Sequence, residues 1–229
     1  PKHRDQLRNS FIASGVAIGD FDNDGLADVF LTRQTDGGRL YRNLGNFQFE
    51  DVTAKVGIDP AGMWSSGATF ADINNDGWLD IFHTNGMTDG QSITETIFSQ
   101  FLDDPSRLFI NNQDGSFTER SLEYGIKHTG QGRGISCLDF DKDGDVDILI
   151  ANNGLAPTLY RNNSRAATVA SGYLSVRLIG NNKNIQGVGA KIWLESDGLN
   201  QYRELRLGTN YLSNDPVLAH FGLANKSKV

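Results

Sequence analysis

The chain has 229 residues, 38% of them hydrophobic and 21% charged, with 26 glycines. That is enough patterned apolar material for one or two β-rich domains and excludes a disordered chain. A formal net charge of −7 without a Lys/Arg-rich stripe argues against nucleic-acid binding, and no run of about eighteen apolar residues predicts a transmembrane segment.

The opening "PKHRDQLRNSFIASGVAIGD" reads as the tail of one structural unit running into the next, and no signal peptide stands at Pro1, as expected of a mature or trimmed product. "DFDNDGLAD" follows, with carboxylates at loop positions 1, 3, 5 and 9 (Asp20, Asp22, Asp24 and Asp28) and Gly25 at position 6. So many like charges on one loop repel unless a cation lies among them. A single copy would equally suit a solvated Asp/Asn/Gly turn. The pattern recurs, however, as "DINNDGWLD" (Asp72, Asn74, Asp76 and Asp80) and as "DFDKDGDVD" (Asp139, Asp141, Asp143 and Asp147). Repetition at fixed spacing points to metal binding.

The donors are hard oxygens, with no thiolate or imidazole inside any loop, which selects calcium over zinc; magnesium prefers a small octahedron that keeps its waters. Three calcium sites are expected. Gly25, Gly77 and Gly144 permit the sharp turn, and the backbone carbonyls of Leu26, Trp78 and Asp145 at position 7 complete the candidate ligand sets. Asn74 replaces an aspartate, so the second site is expected to be the weakest. Three divalent ions would reduce the net charge from −7 to −1. An EF-hand is excluded, because position 12 holds Leu31, His83 or Ile150 in place of glutamate and the flanks are strand-like: "SGVAIG" and "DVFLT", "SGATFA" and "DIFHT", "GISCL" and "DILIA". Each loop is therefore a hairpin corner between two strands.

Downstream of the loops come "RLYRNLGNFQFEDVTAKVGI", "RLFINNQDGSFTERSLEYGI" and a shortened "TLYRNNS". Each unit reads as four antiparallel strands, the blade of a β-propeller. Residues 13–164 resemble the FG-GAP or VCBS repeats of integrin alpha chains and bacterial surface proteins. The resemblance implies metal hairpins at one rim of the blades and ligand binding at the opposite face. Two full blades and most of a third do not close a ring, so a segment of a longer protein is expected, ahead of a ring completed by partner chains or an open array.

The interval between the second and third loops carries an insertion, residues 86–107. Its Ser92/Glu95 capping pair, its stripe of Ile93, Ile97, Phe98, Phe101 and Leu102, and its closing Pro105 predict a short amphipathic helix. Packing on its own blade is the expected role of that stripe, with Phe98 and Phe101 as alternative partner contacts. Trp64 and Trp78, beside the second loop, suit either packing between blades or stacking against a sugar.

Beyond "SRAATVASG" the pattern changes to the strand-like "YLSVRLIG", "GVGAKIWLES" and "QYRELRLG", with Gly187 and Gly189 as strand-entry glycines. Residues 173–223 resemble the ASPIC/UnbV domain, in which further strands are expected after His220 and Phe221. The domain division is thus 1–164 for the propeller repeats and 165–229 for an ASPIC/UnbV-like β module, whose end at Val229 is expected to be a truncation.

No catalytic residue is identified. The histidines His3, His83, His128 and His220 are scattered, with His83 expected to be a partly buried strand residue; Cys137 reads as a core thiol; and the serines lack a base or nucleophile elbow. The aspartates are committed to metal, where their ionised form is favoured and proton donation is poor. The sequence therefore describes an all-β chain of calcium-binding blades followed by a small β module. Its expected role is non-catalytic, at the cell surface or outside the cell, with a protein or glycan partner or self-association into an oligomer or filament. The alternatives are a scaffold within a larger secreted enzyme and a carbohydrate-binding module.

Overall fold

A computed structural model describes residues 14–33, 36–85, 101, 103–164, 172–181 and 183–226. Its strands form two four-stranded sheets, one three-stranded sheet and two pairs. The first sheet runs β1 (Val16–Gly19), β2 (Asp28–Thr32), β3 (Gly38–Asn43) and β4 (Phe49–Asp51), each antiparallel to the next. The second repeats that order with β5 (Ala68–Ala71), β6 (Asp80–His83), β7 (Arg107–Asn111) and β8 (Phe117–Glu119). The third contains β9 (Gly132–Leu138), β10 (Asp147–Asn152) and β11 (Thr158–Tyr160). Among the described residues the sheets do not close into a ring. Most of the expected insertion helix lies outside the described residues; Phe101 is buried against Trp64, with ring centroids 5.6 Å apart.

Strand alternation directs one face of each sheet toward its neighbour. In β2, Phe30 and Thr32 are buried while Leu31 is exposed. The cores consequently lie between successive sheets. Phe21, Phe30 and Leu40 of the first meet Ile81, Phe109 and Phe117 of the second, and Phe82, Leu108 and Ile110 of the second meet Ile135, Ile148 and Ile150 of the third. The innermost strands approach closely because their entry residues are glycines: a Cβ at Gly15 would strike the Ser66 carbonyl, and one at Gly67 the Arg133 carbonyl. His83 is fully buried, in contrast to the expected partial burial, and stacks between Phe30 (6.3 Å) and Phe109 (5.8 Å). Burial pushes its pKa down to about 3, so it is a neutral filler between the first two sheets.

In the C-terminal part, β12 (Gly172–Val176) pairs with β15 (Ala219–Ala224), and β13 (Lys191–Ser196) pairs with β14 (Leu199–Glu204). The last strand begins at Ala219 and so contains His220 and Phe221; the "HFGL" run is too short for its period to show this in sequence. Leu194, Leu205, Phe221 and Leu223 form a separate core. Gly187 and Gly189 have φ of 66° and 85° in the turn that leads to β13. This part packs on the repeat sheets. Ser213 Oγ accepts from Ile135 N (3.0 Å) and Asp215 Oδ1 from Cys137 N (2.7 Å), satisfying the free edge of β9, while Arg206 Nη1 donates to Ile18 O (3.0 Å).

Candidate metal centres

All three acidic loops connect the first and second strands of a sheet and share one backbone path. Position 4 is left-handed in each, with φ of 56° at Asn23, 57° at Asn75 and 62° at Lys142, and the glycine at position 6 has φ of 86°, 92° and 93°. Glycine meets that requirement without strain, and asparagine tolerates it. The position 1 carboxylate holds the turn. Asp20 accepts from the N–H groups of Asp24 and Gly25, Asp72 from those of Asp76 and Gly77, and Asp139 from those of Asp143 and Gly144. The residues at position 7, Leu26, Trp78 and Asp145, donate their N–H groups to the position 5 carboxylate.

The position 9 aspartates bind the loop to its own sheet. Asp28 accepts from Phe21 N and Asn43 N, Asp80 from Ile73 N and Asn111 N, and Asp147 from Phe140 N and Asn162 N, all between 2.7 and 3.0 Å. These three carboxylates are fully buried or nearly so. Their asparagine partners Asn43, Asn111 and Asn162 end the "LYRN", "LFIN" and "LYRN" segments, so the strand repeat in the sequence is also a repeat of this hydrogen bond.

Carboxylate oxygens of Asp20, Asp22 and Asp24 lie within 4.8 Å of one another, as do those of Asp139, Asp141 and Asp147; each group could hold a metal ion. In both loops an arginine of the "LYRN" segment, in β3 or just past β11, grips the outer oxygens. Arg42 Nε is 2.5 Å from Asp22 Oδ2 and its Nη2 is 3.0 Å from Asp24 Oδ2. Arg161 Nε is 2.6 Å from Asp141 Oδ2, with Nη2 3.6 Å from Asp143 Oδ2. The remaining oxygens, Asp22 Oδ1 and Asp141 Oδ1, are buried without a hydrogen-bond partner. Orphaned acceptors of this kind are costly to bury, and where they stand among converging carboxylates they fit a cation.

The second loop differs. Its "LFIN" strand has Ile110 where the others have arginine, and Asn74 removes the matching carboxylate, so each position-3 aspartate is accompanied by one added cation. Neither arginine was singled out from sequence, although this covariation within the repeat was present there.

Burial raises the carboxyls of the loops, and like charge adds to it: Asp20 is pushed up to about 6, Asp28 to about 7 and Asp72 to about 7, with Asp22 and Asp147 also raised. Asp80, fully buried beside Asp72, is raised well above the usual carboxylate range. A divalent ion acts in the opposite direction, favouring ionised ligands. The first aspartates of the three loops, Asp20, Asp72 and Asp139, also line a shared open cavity of about 420 Å³, together with Arg203, Val217 and His220.

The FG-GAP-like repeat family matches residues 13–83 and 89–150. The chain belongs to the FG-GAP-like repeat family. Within this FG-GAP chain, residues 180–229 match the ASPIC and UnbV family. Three curated relatives, each called cartilage acidic protein 1, align over 140 residues: 25% identical in Xenopus tropicalis, 32% in Mus musculus and 24% in Homo sapiens. In each case the alignment covers 60% of this chain and 19% of the relative, so the FG-GAP chain spans about a fifth of the length of these relatives. A solved lectin from Agrocybe aegerita, described as recognising non-reducing terminal N-acetylglucosamine, aligns at 16% identity over 87% of this chain and 68% of the lectin, with a TM-score of 0.26 that supports no inference.

Trp64 is buried on Phe101 and offers no open sugar platform, whereas Trp78 is half-buried. Cys137 is half-buried, and burial pushes its thiol well above the ordinary value, away from the reactive thiolate. Among the described residues, no helix is long and apolar enough to cross a membrane.

Proposed function

We propose that this chain is a non-catalytic, calcium-stabilised scaffold of the cell surface or extracellular matrix. Its blades, residues 1–164, are braced by calcium, and residues 165–229 form a β module joined to them. The first site comprises Asp20, Asp22, Asp24 and Asp28 with the Leu26 carbonyl; the third comprises Asp139, Asp141, Asp143 and Asp147 with the Asp145 carbonyl.

The observation that carries this reading is the pair of buried, unpartnered oxygens, Asp22 Oδ1 and Asp141 Oδ1, each among converging carboxylates. Hard oxygen donors on an adaptable loop favour calcium over magnesium. Open acidic loops of this type saturate at roughly millimolar calcium, which suits an extracellular setting, as does the name cartilage acidic protein borne by the relatives. The partner is a protein or glycan of that setting, or further copies of the chain. Among the described residues the loop carboxylates are engaged by backbone N–H groups and the Cys137 thiol is held protonated by burial, which supports a structural role for them over a chemical one.

Calorimetric titration with calcium tests the assignment. Binding should be retained in part by Asp22→Asn and by Asp141→Asn and abolished by the double substitution, with magnesium much weaker. Absence of calcium binding by the unaltered chain would refute it.

A further inference from the structure

The second acidic loop is satisfied by the chain's own donors. Asn74 Nδ2 donates to Asp76 Oδ2 (2.9 Å), its Oδ1 accepts from Asp76 N (3.1 Å), and Gln113 Nε2 donates to the same Asp76 Oδ2 (2.9 Å). Asp76 Oδ1 accepts from Trp78 N (2.8 Å), and both oxygens of Asp80 accept from backbone N–H groups. Where the other two loops turn a carboxylate oxygen inward without a partner, this one turns an amide donor onto a carboxylate.

The C-terminal part supplies what remains. Gly222 N in β15 donates to Asp72 Oδ2 (3.1 Å), Ala224 N donates to Asn75 O (2.8 Å), and His220 Nε2 lies 2.7 Å from Asn75 Oδ1. Gln201 Nε2 in β14 holds the Gly222 carbonyl (2.8 Å). The fit excludes side-chain atoms at the contact: a Cβ at Gly222 would collide with the Asp72 carboxylate and the Asn75 backbone, and one at Gly77 with Leu199. Arg203 adds a positive charge that acts on Asp72.

We infer that the second loop is a cation-free socket that anchors the C-terminal module through β15. It keeps the backbone of a metal loop, with N–H donors from the loop, from Gln113 and from the module in place of the ion. The count of ions rests on the calcium reading of the first and third loops; the socket does not.

The test is equilibrium dialysis of the full chain with calcium, combined with amide hydrogen exchange in calcium and in chelator at a temperature where both forms stay folded. Two ions should bind, and the Gly222 and Ala224 amides should be equally protected in both conditions. In Asn74→Asp, which rebuilds a loop type the chain already carries twice, a third ion should bind and protection at Gly222 should become calcium-dependent. A third ion bound by the unaltered chain and lost in Asp76→Asn would overturn the inference. So would protection at Gly222 that vanishes in chelator while the β2 amides remain protected. If no ion binds at all, the calcium reading fails, and the exchange data alone decide the socket.

Discussion

Asn111 donates its side-chain amide to the carbonyl of Phe21, 2.8 Å away and ninety residues earlier in the chain, while also holding the Leu79 carbonyl of its own hairpin. Asn162 repeats the arrangement one sheet later, donating to Ile73 O (2.7 Å) and Val146 O (3.2 Å). Each amide therefore ties its own acidic hairpin to that of the preceding sheet. Asn43 reaches Ala27 in its own sheet. Replacing Asn111 by alanine leaves buried carbonyls without donors and should cost about 1–3 kcal/mol. Asn162→Ala should cost somewhat less because it is only partly buried, and Asn43→Ala least; chemical denaturation of the three variants checks the order.

Arg42 and Arg161 place positive charge against ligands of the candidate ions. In the metal-free chain they relieve carboxylate repulsion; in the loaded chain they compete with the ion. Arg42→Met and Arg161→Met should therefore lower the melting temperature in chelator and widen the gap between calcium and chelator. Thermal unfolding in both conditions measures that gap.

Calcium uptake should release protons below neutral pH. Asp20 and Asp28, pushed up to about 6 and 7 from an ordinary 3.8, hold protons in the metal-free folded chain that they lack when unfolded. The stability that those raised values give the metal-free fold is complete below about pH 3.8 and is lost progressively as pH rises to 6 and 7. The ion requires the ionised ligands, so calcium affinity should fall as pH is lowered from 7.5 to 5.5. Titration in two buffers of different ionisation enthalpy would reveal the protons released.

His83 has the opposite sign. Its pKa falls from 6.5 to about 3 on burial, so the unfolded chain takes up a proton that the folded chain refuses. The stability it contributes is complete above pH 6.5 and is lost as pH falls toward 3, by at most about 1.4 kcal/mol per pH unit. His83→Phe should blunt this acid sensitivity while keeping the stack on Phe30 and Phe109; His83→Ala should cost about 2–4 kcal/mol through the cavity left between blades. Unfolding curves at pH 7.5 and 5 compare the variants.

Strands, hairpin corners and blade order were legible because they rest on local signals: alternation in "DVFLT" and "DILIA", and glycine at the left-handed turn position of each loop. Burial of His83 was not, since it depends on two phenylalanines from different sheets. Nor was the pairing of Asn111 with Phe21, which joins residues on separate repeats. The second loop shows most clearly where sequence reasoning stops: Asn74 suggested a weaker ion site, but the donors that complete the loop come from Gln113 and from Gly222, one of them in another part of the chain. Spacing alone assigns neither.

Thermal unfolding of the unaltered chain in millimolar calcium and again in excess chelator addresses the central claim most directly. Ions bound to two folded-state sites should raise the midpoint by on the order of ten degrees, and chelation should reverse it. An identical transition in both conditions would contradict calcium as the brace of these blades.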